Sequence, residues 1–292
     1  MTMADIDTGA LPDIEANQNN NQIETKVPNI QVRKKNRFDF IILEFRAWLY
    51  RRHRLRRLLR WPYIYNVGIR TARRIGPNTF IKSGYKIRHV EAQTMAFVRA
   101  HTSIPVPRPY EILLDSDGRH YLVMEYIDSS ELTWVWSSLS EDQQQDIIDQ
   151  IGKWWSELRQ IPSPGTAICA LDGGLHSITM HAISGLVPLL SFSPHTMVIQ
   201  YFEELLAKEH HIVFTHCDLA PRNILVKDGR IVAIIDWECA GWFPEYWEAI
   251  QIEYANGIEI PSFGKKLVKS VFPNVQNEQL LEYELSKYVF RG

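Results

Sequence analysis

The sequence predicts an α+β chain in two parts, a small β-rich N-terminal lobe followed by a larger, mainly helical C-terminal lobe. Residues 63–127 hold two short strand pairs with proper turn chemistry and one helix between them. From residue 128 onward the apolar residues recur mostly at helical spacing. Within that helical half lies one strand–turn–strand unit, residues 212–236, rich in Ile and Val.

Residues 1–30 are polar, with an Asn/Gln run from Asn17 to Asn21, and carry too little apolar surface to offset the entropy of ordering. A disordered tail is expected there. Residues 31–62 differ sharply. Phe38, Ile41, Ile42, Phe45, Trp48, Leu49 and Leu55 recur at helical spacing among arginines from Arg46 to Arg60, and Pro62 closes the pattern. This reads as a basic amphipathic helix. It either docks its apolar stripe on the body, with arginine stems lying over it, or touches an anionic membrane surface through residues 38–60.

In residues 63–127, strands are expected over Thr71–Ile75 and Thr79–Lys82, about the turn Gly76-Pro77-Asn78. A helix over Val90–Ala100 follows, broken by Ile104-Pro105-Val106-Pro107. Tyr110–Leu114 and Tyr121–Ile127 form a second strand pair around Asp115-Ser116-Asp117-Gly118. In residues 128–292, Ser140 and Gln143 make a capping box that opens a helix to about Leu158. The Gly-, Pro- and Ser-rich residues 162–185 suggest a loop, and Met197–Lys208 a further helix. After residue 248, helices are expected to the end.

Size and composition narrow the function classes. The 292 residues suffice for a sizeable core, and a net charge of -2 gives no general attraction to nucleic acid. The three cysteines, Cys169, Cys217 and Cys239, form no CxxC pair, which disfavours a disulfide framework or a structural zinc site. Neither an apolar signal region nor a run of about 20 apolar residues is present. A cytoplasmic protein is the expectation.

The chemistry concentrates in residues 212–236. The strand Ile212-Val213-Phe214 delivers the loop Thr215-His216-Cys217-Asp218-Leu219-Ala220-Pro221-Arg222-Asn223. A tight hairpin then returns the chain to Asp236, so Asn223 and Asp236 stand at neighbouring strand ends, with Asp218 just before them. Phosphoryl transfer asks for this residue set: little covalent help, but positioning, charge neutralisation and a group that takes the hydroxyl proton. A carboxylate and an amide oxygen are hard ligands suited to Mg²⁺, and a second carboxylate can orient the nucleophile.

His216-x-Asp218-x-x-x-x-Asn223, followed thirteen residues later by Asp236, resembles the catalytic loop and metal-binding aspartate of kinase-like phosphotransferases. The form His-Cys-Asp-Leu-Ala-Pro-Arg-Asn, then Asp236-Trp237-Glu238, resembles the aminoglycoside phosphotransferase (APH) and choline kinase branch. The tail Gly241 to Glu248 resembles fungal APH-domain proteins in particular. The likeness spans about residues 70–255 and implies a two-lobed protein kinase-like fold with ATP and Mg²⁺ bound between the lobes. It implies Asp218 as catalytic base, His216 as the residue that orders the loop, and Asn223 and Asp236 as metal ligands. It further implies Lys82 as the ATP-phosphate lysine, Glu91 as its ion-pair partner, and Glu125, Tyr126 and Ile127 as the hinge whose backbone pairs with adenine.

The resemblance implies an ATP- and Mg²⁺-dependent phosphotransferase acting on a small-molecule hydroxyl. Two other readings stay open. One is a catalytically silent kinase-like binding protein, favoured by a thin glycine-rich loop: only Gly68 and Gly76 lie between Tyr63 and Lys82. The other is a protein kinase, disfavoured by the absence of Asp-Phe-Gly at Asp236. Glu238, Glu245 and Glu248 suggest a cationic substrate, or else are solvated or paired with arginines. The aromatic residues Trp237, Trp242, Phe243, Tyr246 and Trp247 suit core packing better than a cofactor box.

Overall fold

The computed structural model describes residues 30, 32–34, 65–67, 70–84, 89–173, 210–256, 260–273 and 275. The fold is the α+β two-lobed, kinase-like arrangement. The first lobe is a six-stranded sheet in the order β1-β5-β6-β4-β3-β2. Its strands are β1 (Val32–Lys34), β2 (Tyr65–Val67), β3 (Arg70–Gly76), β4 (Thr79–Gly84), β5 (Pro109–Leu114) and β6 (His120–Glu125). Helix α1 (His89–His101) joins β4 to β5.

Alternation along β4 decides which residues look into the molecule, because successive side chains leave a strand on opposite faces. Ile81 joins Leu113 and Val123 in a small separate cluster on one face. Phe80 lies on the other face, with Leu122 and Met124, against the main core. Lys82 shares that inner face and sits opposite Leu122 in the β4–β6 register. Buried Phe97 of α1 packs on Phe214 and Trp242 of the second lobe, at centroid distances of 5.5 and 6.1 Å. One apolar core thus runs through both lobes.

The second lobe is held by α2 (Glu141–Leu158), α3 (Trp247–Asn256) and α4 (Pro261–Val271), with two three-stranded sheets. Helix α2 begins at Ser140 with the reciprocal capping box: Gln143 N–H donates to Ser140 Oγ at 3.2 Å and Ser140 N–H donates to Gln143 Oε1 at 2.9 Å. One sheet runs β11 (Arg230–Ile234), β10 (Ile224–Lys227), β7 (Ser130–Glu131) and the other β8 (Cys169–Ala170), β12 (Gly241–Pro244), β9 (Ile212–Thr215). No helix among the described residues is long and apolar enough to cross a membrane.

Two expectations are corrected. Val32–Lys34, placed in the basic helical segment, form an exposed strand parallel to β5. Cys169–Ala170, placed in a loop, pair with Gly241 and Trp242. Gly241–Pro244, to which no element was assigned, form a buried central strand, β12, between β8 and β9. An unbroken run of buried side chains has no period to separate strand from helix. Most of the 1–30 tail, the amphipathic pattern of 38–60 and the Met197–Lys208 helix lie outside the described residues.

Candidate active site

Strand β9 carries the chain to Thr215, and its pairing with β12 fixes where the next residues emerge. Cys217 then adopts a left-handed conformation, φ 67°, uncommon for a non-glycine residue and stable only where the surroundings enforce it. The enforcing group is Glu248, at the start of α3. Its carboxylate is buried and accepts the Cys217 N–H at 2.9 Å and the Leu219 N–H at 3.3 Å. Burial pushes its pKa up to about 8, against the pull of those amides.

Pro221 opens a short 3₁₀ turn, Pro221–Asn223, where its missing N–H costs no hydrogen bond. That turn brings two donors back to Asp218. Arg222 Nη2 lies 2.5 Å from Asp218 Oδ1, and Asn223 Nδ2 lies 2.9 Å from Oδ2 and 2.8 Å from the Asp218 carbonyl. Both carboxylate oxygens are therefore oriented. Burial raises the Asp218 pKa, Arg222 lowers it, and the charge of Asp236 raises it.

His216 is fully buried behind this loop. Its Nε2–H donates to the Ile235 carbonyl at 3.0 Å, and its Nδ1 accepts the Asp218 N–H at 3.2 Å. Its ring meets Trp237 edge-on, with centroids 4.5 Å apart. Burial pushes the imidazole down to about 4, so it stays neutral and links the loop to the end of β11.

Asp236 follows β11 in a left-handed conformation, φ 66° and ψ 55°. The β10–β11 hairpin aligns it: Ile235 N–H donates to the Asn223 carbonyl at 2.9 Å. The bend sends its side chain to the first lobe, where Lys82 Nζ lies 2.7 Å from Oδ1. The same ammonium reaches Glu91 Oε1 at 3.0 Å and Glu238 Oε2 at 3.4 Å. Three carboxylates surround one lysine. Burial disfavours the ammonium, but Glu91, Asp236 and Glu238 outweigh it and hold its pKa above the usual range. The surplus negative charge appears at Glu91, which burial foremost, with Asp236 and Glu238, pushes up to about 7 against Lys82. Carboxylate oxygens of Glu91, Asp236 and Glu238 lie within 4.8 Å of one another around the Lys82 ammonium. Asp236 and the amide oxygen of Asn223, whose Nδ2 is turned to Asp218, are hard oxygen donors of the kind Mg²⁺ takes.

The hinge residues lie apart from this cluster, at the end of β6. Glu125 N–H donates to the Arg108 carbonyl at 2.9 Å and Tyr126 N–H to the Asn78 carbonyl at 3.0 Å. Two of the three expected hinge amides are thus engaged within the sheet, and the Ile127 amide has no recorded backbone partner among the described residues. Tyr126 also lies under the Arg74 guanidinium, 3.8 Å from the ring centroid. Strands β2 and β3 pair from Val67 to Arg70, so only residues 68 and 69 join them, where a phosphate-covering loop is expected.

A phosphotransferase enzyme family, APH, matches the chain over residues 88–250, more than half its length. The chain belongs to the APH family. A search of curated proteins finds no match. Among solved structures this APH chain is similar to ADP-bound APH(2'')-Ib, at 14% identity and TM-score 0.54, covering 84% of this chain and 90% of that one. It is also similar to aminoglycoside phosphotransferase APH(4)-Ia, at 14% identity and TM-score 0.55, covering 84% and 88%. A third is the GDP complex of aminoglycoside 2'-phosphotransferase-IIIa, at 11% identity and TM-score 0.56, covering 82% and 87%. At these identities the likeness establishes the fold.

Sequence reasoning assigned no role to Arg222, read Glu248 only as one of three carboxylates suited to a cationic substrate, and did not place Glu238 beside Lys82, although the APH fold brings all three into the site. Arg222 had a legible signal, four residues after Asp218 inside the motif. Glu248 had none, because its partners are backbone amides. Glu248 is buried on the loop and Glu238 is drawn to Lys82, which leaves Glu245 as the partly exposed member of the three carboxylates.

Proposed function

We propose that this APH-family chain transfers the γ-phosphoryl group of ATP to a hydroxyl group of a small molecule. The observation that carries the reading is the Asp218 carboxylate, oriented by Arg222 and Asn223 beside the Lys82–Asp236 cluster. Asp218 would orient the acceptor hydroxyl and take its proton. Lys82, steadied by Glu91, would bind phosphate oxygens. The backbone near Ile127 would meet the base. His216, neutral and buried, would hold the loop without exchanging a proton with substrate. Asn223 and Asp236 are the residues that would hold Mg²⁺, which when bound neutralises charge on the transferring phosphoryl group.

The acceptor is read as a hydroxyl compound without a requirement for positive charge, since Glu238 and Glu248 are committed inside the protein. The tail Gly241 to Glu248 supports a nearer likeness to fungal APH-domain proteins. Screening hydroxyl metabolites for ATP-dependent ADP release, with Asp218→Asn in parallel, tests the proposal. A rate that needs both acceptor and Asp218 supports it. The silent-binding reading is favoured by the two-residue β2–β3 connection, and the absence of any thermal shift with millimolar MgATP would decide for it.

A further inference from the structure

The first-lobe sheet has two faces, and only one carries the core shared with the second lobe. Ile81, Leu113 and Val123, from the neighbouring strands β4, β5 and β6, point away from that core, yet they are 2%, 0% and 7% exposed. Ser83 lies on the same face, two residues beyond Ile81, and is also buried. A sheet face open to water would leave these alternate positions wet. Among the described residues, the apolar side chains packed on this cluster, Ile75 and Tyr121, come from the sheet itself.

The topology indicates what covers the face. Strands β1 and β2 are the two edges of the sheet, and residues 35–64 connect them. The pairings make β1, β5, β4 and β2 parallel to one another. The links from β1 to β2 and from β4 to β5 are then both crossovers between parallel strands, which are right-handed almost without exception. They run across the sheet in opposite directions, so a shared hand puts them on opposite faces. Helix α1, the crossover from β4 to β5, lies on the core face through Ala92, Met95 and Val98. Residues 35–64 are left with the outer face.

We propose that the outer face of the first-lobe sheet, around Ile81, Leu113 and Val123, is the docking surface of residues 38–49 of the same chain. Phe38, Ile41, Ile42, Phe45, Trp48 and Leu49 recur at the spacing of one helix face. As a helix, residues 38–49 would be about 18 Å long, more than three strand spacings of about 4.8 Å. That is enough to lie across β4, β5 and β6. The arginine-rich residues 50–60 complete the crossing toward β2. Ile81 and Ser83 flank Lys82, so the docked stripe backs the strand that carries Lys82 to Asp236. The stripe is then occupied within the chain and not by a membrane.

The test uses the full chain. Amide hydrogen exchange should be slower at residues 38–49 than in a synthetic peptide of residues 30–64. A photo-crosslinking phenylalanine analogue in place of Phe45 should join β4, β5 or β6 of its own chain. Ile41→Asp combined with Phe45→Asp should lower the melting temperature by several degrees and speed exchange in β4 to β6. Arg54→Ala, on the opposite side of the helical pattern, should do neither. Vesicles of phosphatidylserine and phosphatidylcholine should not sediment the wild type. Should the paired variant fail to fold, wild-type exchange and the crosslink decide. Exchange as fast as in the peptide, crosslinks to a second copy, a paired variant as stable as wild type, or sedimentation with the vesicles would each overturn the docking.

Discussion

Lys82 Nζ lies 2.7 Å from Asp236 Oδ1, a contact between residues 154 positions apart that ties β4 of the first lobe to the end of β11 in the second. Lys82→Met would leave Glu91, Asp236 and Glu238 facing one another without the ammonium. Removing one partner from a buried ion cluster costs about 3–5 kcal/mol. Urea unfolding should show that loss, and MgATP affinity should fall with it. A variant as stable as wild type would show that the lysine is dispensable to the cleft.

Arg222 lowers the pKa of Asp218, so Arg222→Ala should raise it. The acid limb of the kcat/KM profile would then move to higher pH, with part of the shift reversed in Arg222→Lys. An unmoved acid limb would mean that Arg222 does not sense the proton on Asp218.

Glu248 gives a pH dependence of stability with a definite sign. Its folded pKa is pushed up to about 8 from an ordinary 4.5. Between those values the folded chain keeps a proton that the unfolded chain has lost, so the contribution is full below 4.5 and lost as pH rises through about 8. Glu248→Gln does not titrate. Unfolding free energies should therefore show wild type losing a few kcal/mol relative to Glu248→Gln between about pH 5 and pH 8. A constant difference across that range would reject the assignment.

Gly241 sits where β12 crosses β8. A Cβ there would stand 2.5 Å from the Cys169 carbonyl oxygen and 3.1 Å from the Ala170 Cα, both backbone atoms. Gly241→Ala should lower stability by about 1–3 kcal/mol, as overpacking of a tight core does. Thermal melting checks it, and an unchanged midpoint would mean that β8 yields freely.

The two-lobed plan was legible because its elements are local: Ser140 and Gln143 cap their own helix, and Asp115 to Gly118 turn their own hairpin. The site was legible where it is local too, from His216 to Asn223 and through the hairpin to Asp236. What the sequence hid depends on partners far along the chain or on backbone. Trp242 and Phe243 belong to a central strand, where burial on both faces erases the alternation that marks a strand at a surface. Glu248 looked like a surface carboxylate because nothing in residues 245–251 shows that the Cys217 and Leu219 amides await it.

The most direct test is ADP formation from MgATP in the presence of an accepted hydroxyl compound, compared between wild type and Asp218→Asn at equal folded concentration. Turnover in the variant should fall by about 10²–10⁴-fold, the range for loss of a general base, while MgATP binding and melting temperature hold. Turnover in Asp218→Asn equal to that of wild type would contradict the account.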